Sequence, residues 1–587
     1  MLLSRILLAV ILSTVVSQLH AAIRVEIKGI SGALLQNAKL FMEIEAKKSL
    51  PDLQESTVEQ LHNEAPNQIQ AALRPFGYYK VKVASKLKRG EEVAWIAQYQ
   101  VDTGPPTMID TLDLRIVGEG TQDAELMQTI NKFPLKEGGV INHGAYEAGK
   151  QNIQRVAYLN GYFDSRFTRH ELRVNPETSK ARVFLYFDSG PRYHFGRVRF
   201  RQEAYAENYL QRFLPFQSGE MFAEEKLAEL QFRLQDSNNF QNITIERRRD
   251  LSDNHDIPLD LILVPKKKHY YQIGLGYGTD TEARTSFLWQ NRRVNMLGHR
   301  IGAGIKYSAI GREISASYSI PLHKPNTDKL EFISSLAKET IQGKESSKRE
   351  IIVRRTFARW WKWSEILSIR YLTGPYKDSS IDNDPPATSM LIPGASWTKL
   401  SVNDPIFPRR GYRLSFSVEG SDDQFMRTDT SFLSLKSQGK IMRSLGDNVF
   451  IARAQLGTLS TPSLDKLHTD LRFFTGGDNS VRGFDYKGID GLENLHSSDL
   501  TSQKLKVISG EYQYWLLRNW GLSMFADAGN VVQHWNDPVK KAAGFGVLWR
   551  SPVGPFSLSF ARDLHIPNHT QAHRNKWRLH LSIGPNL

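Results

Sequence analysis

Cysteine occurs nowhere in the 587 residues. Its absence excludes disulfide staples, thiolate metal sites and a cysteine nucleophile. Long apolar runs are missing as well: past the first two dozen residues no stretch of about 18 or more is apolar, and the mean hydropathy is −0.41. A bundle of membrane-spanning helices is therefore excluded. A membrane barrel stays open, because its alternating strands average out on a hydropathy scale. Neither His-Glu-x-x-His nor Gly-x-Ser-x-Gly occurs, and no catalytic constellation stands out. The expectation is a protein that is not an enzyme, with no cofactor and no metal. With 25 Pro, 42 Gly, 40% hydrophobic and 24% charged residues the chain is neither collagen-like nor disordered. What it has in excess is basic charge, 76 Lys+Arg against 62 Asp+Glu, a net +14.

Arg5 precedes an apolar stretch from Ile6 to Val16, and the small residues Ala21 and Ala22 follow. A charged start, a short apolar segment and a small-residue cleavage site predict a signal peptide over 1–22. Export of a cysteine-free chain points to a bacterial envelope.

The next segment repeats itself. A helical pattern ends in Phe76-Gly77-Tyr78-Tyr79, again in Asn160-Gly161-Tyr162-Phe163, and again in Asn238-Asn239-Phe240. Gly and Asn tolerate the left-handed conformation that stops a helix, and the aromatic after them can open a strand. The closing turns agree too: Asp102-Thr103-Gly104-Pro105 matches Asp188-Ser189-Gly190-Pro191. Each unit reads as strand, two helices, strand, strand. The boundaries predicted are 23–105, 106–191 and 192–268.

From residue 269 to 587 the pattern changes to strict alternation, as in Tyr271, Ile273, Leu275 and Tyr277 between Gln272, Gly274 and Gly276. It returns in Tyr412, Leu414, Phe416 and Val418, and in Trp577, Leu579, Leu581 and Ile583. A soluble sandwich would give the same string with its apolar face inward. Helix-free alternation of this length favours a transmembrane barrel, since a single soluble core built from hairpins alone rarely grows so large. At about 20 residues per strand and connection the segment supplies about 16 strands.

The stretch Arg472-Phe473-Phe474-Thr475-Gly476-Gly477-Asp478-Asn479-Ser480-Val481-Arg482-Gly483-Phe484 resembles the loop signature of the Omp85 superfamily. Four other stretches resemble it too: Gly276 to Thr281, Asp404 to Tyr412, Phe525 to Asn530 and Ser551 to Pro555. The resemblance implies three tandem α+β POTRA domains followed by a C-terminal antiparallel outer-membrane barrel. The three units, the loop wording and the ending Ile583-Gly584-Pro585-Asn586-Leu587 resemble its TamA-type branch. Two departures are the non-aromatic C-terminus and the lack of a proline in Leu467 to Leu471. The resemblance further implies that the loop carrying Gly476, Gly477, Asp478, Val481, Arg482, Gly483 and Phe484 folds into the lumen, with Arg482 set against Asp527 and Glu511. A guanidinium in a narrow wet lumen needs a planar carboxylate partner.

A second candidate site is the seam between the first and last barrel strands: Tyr271, Gln272, Gly274 and Gly276 on one side, Leu581, Ile583 and Gly584 on the other. Glycine weakens a strand, and a poorly paired edge can template an incoming one. The POTRA edges are a third place where a client segment could add as a strand. Gly144 to Gln151 nearly matches a phosphate loop, but Gln151 stands where the metal-binding hydroxyl belongs, and a helix is predicted there. Arg247 to Arg249 and Lys266 to Lys268 suit solvated or lipid-facing charge in an exported chain, so no nucleic acid is expected. Trp360, Trp361 and Trp363 suit a membrane-interface girdle. The function implied is outer-membrane protein assembly without nucleotide energy. Its clients are barrel proteins such as autotransporters, in contact with outer-membrane lipid and a TamB-like inner-membrane-anchored, periplasm-spanning partner. The competing reading is a two-partner secretion pore for one exoprotein.

Overall fold

A computed structural model describes residues 23–583, apart from 51–52, 91–92, 342–343, 359, 379–387, 405–406, 427, 465, 492–500, 553 and 565–576. The expected signal segment and Gly584 lie outside the described residues. The described chain forms two compact units. One contains 23–199, Pro215–Glu229 and Ile245–Asp260; the other contains Phe200–Leu214, Leu230–Thr244 and the chain from Leu261 onward.

The chain opens with strand Ile23–Lys28, then helices Gly32–Phe41, Glu43–Lys47 and Glu55–Leu73, then strands Lys82–Arg89 and Trp95–Asp102. The last strand lies in the middle of the sheet, parallel to the first and antiparallel to the second. Its alternation Trp95, Ala97, Tyr99, Val101 is buried against Val58, Leu61, Ala65, Ile69 and Ala72, one stripe of the long helix. That helix stops at Gly77, whose φ is +90°, and the equivalent stops fall at Gly161 (φ +88°) and Asn238 (φ +57°).

The same plan recurs. Strands Met108–Val117, Arg166–Asn175 and Lys180–Asp188 surround helices Ala124–Asn131 and His143–Leu159, with Lys180–Asp188 central in the sheet. Asp123 caps the shorter helix, accepting from the Glu125 and Leu126 amides at 3.0 Å. Gly144 to Gln151 lies inside helix His143–Leu159, whose Ile153 and Val156 are buried. A third three-stranded sheet has the order His194–Arg201, Asp256–Pro265, Phe240–Arg247.

From His269 the chain closes into an antiparallel barrel. Tyr376–Asp378 continues strand Ser364–Gly374 past Pro375 against the same neighbour, Lys344–Ala358, so sixteen strands complete the wall. The burial pattern is inverted relative to a soluble sandwich. Ile273 is 72% exposed, and Leu336, Ile369, Leu456, Ile508, Met524 and Leu579 are exposed, while Glu331, Ser335, Gln503, Ser523, Asp527 and His580 are buried. Apolar outside and polar inside is the surface a lipid bilayer selects.

Candidate functional site: the lumen loop and the barrel seam

The loop between strands Asn448–Ser460 and Ser502–Tyr514 turns back into the barrel. Its apolar residues anchor it: Val481 is fully buried in a cluster with Phe473, Leu505, Val507, Val531 and Ala542. Gly529 makes room for it, since a Cβ there would lie 2.9 Å from a Val481 methyl. Gly476, Gly477 and Gly483 all have φ near +100°, which lets the loop fold onto itself and press against the wall.

Arg482 sits where the loop meets strands Ser502–Tyr514 and Trp520–Val532. Its backbone amide and its Nε donate to Asp527 Oδ2 at 3.0 and 2.8 Å, and Nη2 donates to Oδ1 at 2.9 Å. Nη1 donates to Glu511 Oε2 at 2.7 Å. Ser509 donates to Asp527 Oδ1 at 2.6 Å, and the guanidinium stacks 3.4 Å from the centre of the Phe525 ring. Arg453 approaches both carboxylates at 4.0 Å and donates to Ser509 Oγ at 3.0 Å. Two cations thus balance two anions in a buried cluster, with each carboxylate bonded to the arginine fork.

The same loop is bonded to the seam. Gly483 N donates to His580 Nε2 at 3.2 Å, which places the ring proton on Nδ1, facing Asp478 in a short contact. Asp485 pairs with Arg578, one bond of which measures 3.0 Å. On the other side of the seam, Asp478 N donates to Asp280 Oδ2 at 2.8 Å in the first hairpin turn. The loop therefore touches both the first hairpin and the last strand.

At the seam the last strand is described as far as Ile583. Strand His269–Gly278 pairs along its whole length with Glu282–Asn291, from His269 opposite Asn291 to Gly278 opposite Glu282. Against the last strand, Trp577–Ile583, the described ladder is the single pair Gly278–Ser582. Thr279 adds two bonds to Leu581, one from its amide at 3.2 Å and one to its hydroxyl at 3.3 Å. Tyr271 and Gln272 are exposed. Gly274 and Gly276 serve as clearance, for a Cβ at Gly274 would lie 2.5 Å from Ser286 Oγ and one at Gly276 would lie 2.6 Å from Arg284 Nε.

The structure brings Arg482, Asp527 and Glu511 together, and places Asp478 and Gly483 next to Leu581 and its neighbours on the last strand. Sequence reasoning missed Arg453, Ser509, Asp280, Arg578 and His580. The parity of the last strand, with Arg578, His580 and Ser582 opposite the aromatic face, is the signal that points Arg578 and His580 inward.

The profile of the Omp85 superfamily domain matches residues 297–586. This chain carries an Omp85 superfamily domain. The profile of POTRA domain TamA domain 1 matches residues 24–103. Among curated proteins, the outer membrane protein assembly factor BamA of Nitratidesulfovibrio vulgaris is 23% identical over 172 residues, 28% of this chain and 21% of that one. The chain thus matches about a fifth of that relative's length. Among solved structures, BamA from Haemophilus ducreyi lacking POTRA domains 1-3 superposes with a TM-score of 0.65 at 15% identity, covering 81% of this chain and 99% of that one. CdiB from Acinetobacter baumannii gives a TM-score of 0.46 at 14% identity, covering 82% and 90%. The BamA likeness concerns the fold, a POTRA-bearing chain closed by a sixteen-strand barrel.

Proposed function

We propose that this protein is an outer-membrane assembly factor of the TamA type, which inserts client barrels, autotransporters among them, without nucleotide energy. The single observation that carries the reading is that the lumen loop of an Omp85 superfamily domain is bonded to both sides of the seam, through Asp478 to Asp280 in the first hairpin turn and through Gly483 to His580 on the last strand, so that release of one loop frees a strand edge. An unpaired strand edge is a template for an incoming strand. Main-chain hydrogen bonds then drive the addition, and lipid burial of the new wall completes it.

In this reading all three α+β units, 23–105, 106–191 and 192–268, are POTRA domains in the periplasm of a Gram-negative cell. The match of the first to a TamA-type POTRA profile supports a TamB-like inner-membrane-anchored partner that engages that unit. The lumen loop acts as the lock on the seam: Arg482 fixes it to the wall, and Asp478, Gly483 and Asp485 fix it to the last strand.

Site-specific photocrosslinking from Gln272, in cells making a pulse-labelled outer-membrane client, tests the proposal. Adducts with folding barrel proteins, missing from a probe on the opposite wall, are expected. Adducts to one secreted protein from lumen probes, with none at Gln272, would establish a two-partner secretion pore instead.

A further inference from the structure

We propose that Arg284 is a side-chain latch on the seam, reaching over the first barrel strand to hold the last one, and that an incoming strand takes over this same bond. The proposal deepens the reading of the seam as a template and rests on it. Arg284 lies on the second strand, directly opposite Gly276 of the first. A Cβ at Gly276 would meet Arg284 Nε at 2.6 Å and Cγ at 3.2 Å, so the arginine stem lies flat across the glycine. Beyond it, Nη2 donates to the carbonyl oxygen of Ile583 at 3.3 Å. A residue of the second strand is thus bonded to the last strand with the first between them. Glycine at 276 is what leaves the path open.

The chemistry of the bond suits exchange. Gly276, Arg284 and Ile583 line one cavity of about 690 Å³. The three carboxylates lining that cavity are each taken by a lysine: Glu313 by Lys306 at 3.2 Å, Glu339 by Lys487 at 2.8 Å and Asp470 by Lys348 at 2.7 Å. Arg284 therefore holds a neutral backbone carbonyl, a weaker and solvent-exposed partner. Any extended polypeptide that pairs with the first strand presents a carbonyl in that place, whatever its side chains. Arg284 is a sequence-independent reader of an added strand, and the resident last strand is its occupant at rest.

Deuterium exchange on the full-length protein in liposomes tests the latch, with the last-strand peptide as readout. Arg284→Ala and Gly276→Ala, the second of which keeps the guanidinium but blocks its path, are each expected to speed exchange in Leu579 to Ile583 by roughly tenfold. Gly274→Ala, whose Cβ meets the rotatable Ser286 hydroxyl, is the control and should change it less than twofold. Wild-type exchange in both latch variants, or equal acceleration by Gly274→Ala, overturns the latch. A barrel destabilised as a whole would speed exchange on the opposite wall too, and that also counts against it. Client insertion measured in the same liposomes is a separate readout: accelerated exchange without any client insertion, in wild type or variants, keeps the latch and removes the assembly reading.

Discussion

The amide of Gly483 donates to His580 Nε2 at 3.2 Å, so the residue that follows the loop arginine is bonded directly to the last barrel strand. Arg482 holds the wall through Asp527 and Glu511, and its neighbour holds the last strand. The lock on the loop and the closure of the seam are one connected network. Replacing His580 with Ala removes the acceptor for Gly483 and the partner of Asp478. The expected loss is about 1–3 kcal/mol, seen as a lower temperature at which the folded barrel loses its resistance to detergent. His580→Asn, which keeps an acceptor and a donor, should recover part of it. An unchanged transition in the Ala variant would sever this link.

Arg482→Ala leaves Asp527 and Glu511 buried with Arg453 at 4.0 Å as the remaining cation. Breaking such a pair costs about 3–5 kcal/mol. Arg482→Lys keeps the charge but loses the fork that reaches Asp527 and Glu511 at once, so it should restore little. Both variants are expected to lower heat resistance and client assembly together. Full activity with wild-type heat resistance in either would contradict the lock.

Gly477 has φ +95°, and a Cβ there would fall 2.6 Å from Asp280 Oδ2. Gly477→Ala therefore strains the loop and displaces the Asp280 carboxylate from the Asp478 amide. A cost of about 1–3 kcal/mol is expected, together with faster deuterium exchange in the turn Thr279 to Thr281. Gly446→Ala, in a strand turn where a Cβ would meet nothing within 4 Å, serves as the comparison for backbone strain alone.

In the first α+β unit, burial holds the His62 imidazole below its usual pKa of 6.5, with Nδ1 2.9 Å from the Tyr99 hydroxyl. The folded state thus keeps the ring neutral, while the unfolded chain takes up a proton as pH falls below 6.5. Stability from this group is full above that value and declines as pH falls towards the folded pKa. Protection of helix Glu55–Leu73 against deuterium exchange, taken relative to the intrinsic rate at each pH, is expected to fall as pH drops below 6.5. His62→Phe should flatten that slope, and an equal slope in the variant would assign it elsewhere.

Much of this was legible in the sequence because it is local. The helix stops at Gly77, Gly161 and Asn238 announce themselves by residue type, and the alternation around Tyr271 or Leu579 announces a strand with two unlike faces. Which face meets lipid was not legible from the pattern alone, since a sandwich writes the same string; the exposed Ile273 and buried Asp527 decide it. Arg482, Asp527 and Glu511 were nameable through a resemblance in the loop and strand wording. His580 and Asp280 were not, because their partners Gly483 and Asp478 lie far off in sequence and meet them through closure of the barrel. The Arg284 contact with Ile583 was hidden for the same reason, joining the second strand to the last.

Opening of the seam is the central claim, and a cysteine-free chain makes a direct measurement possible. Gly278 and Ser582 face each other across the seam, and a Cβ at Gly278 meets nothing closer than 3.6 Å. Cysteines at these two positions would be the only thiols in the protein. The account predicts that oxidation to the disulfide abolishes client assembly and that reduction restores it, while each single cysteine is fully active. Undiminished assembly by the oxidised, cross-linked barrel would contradict it.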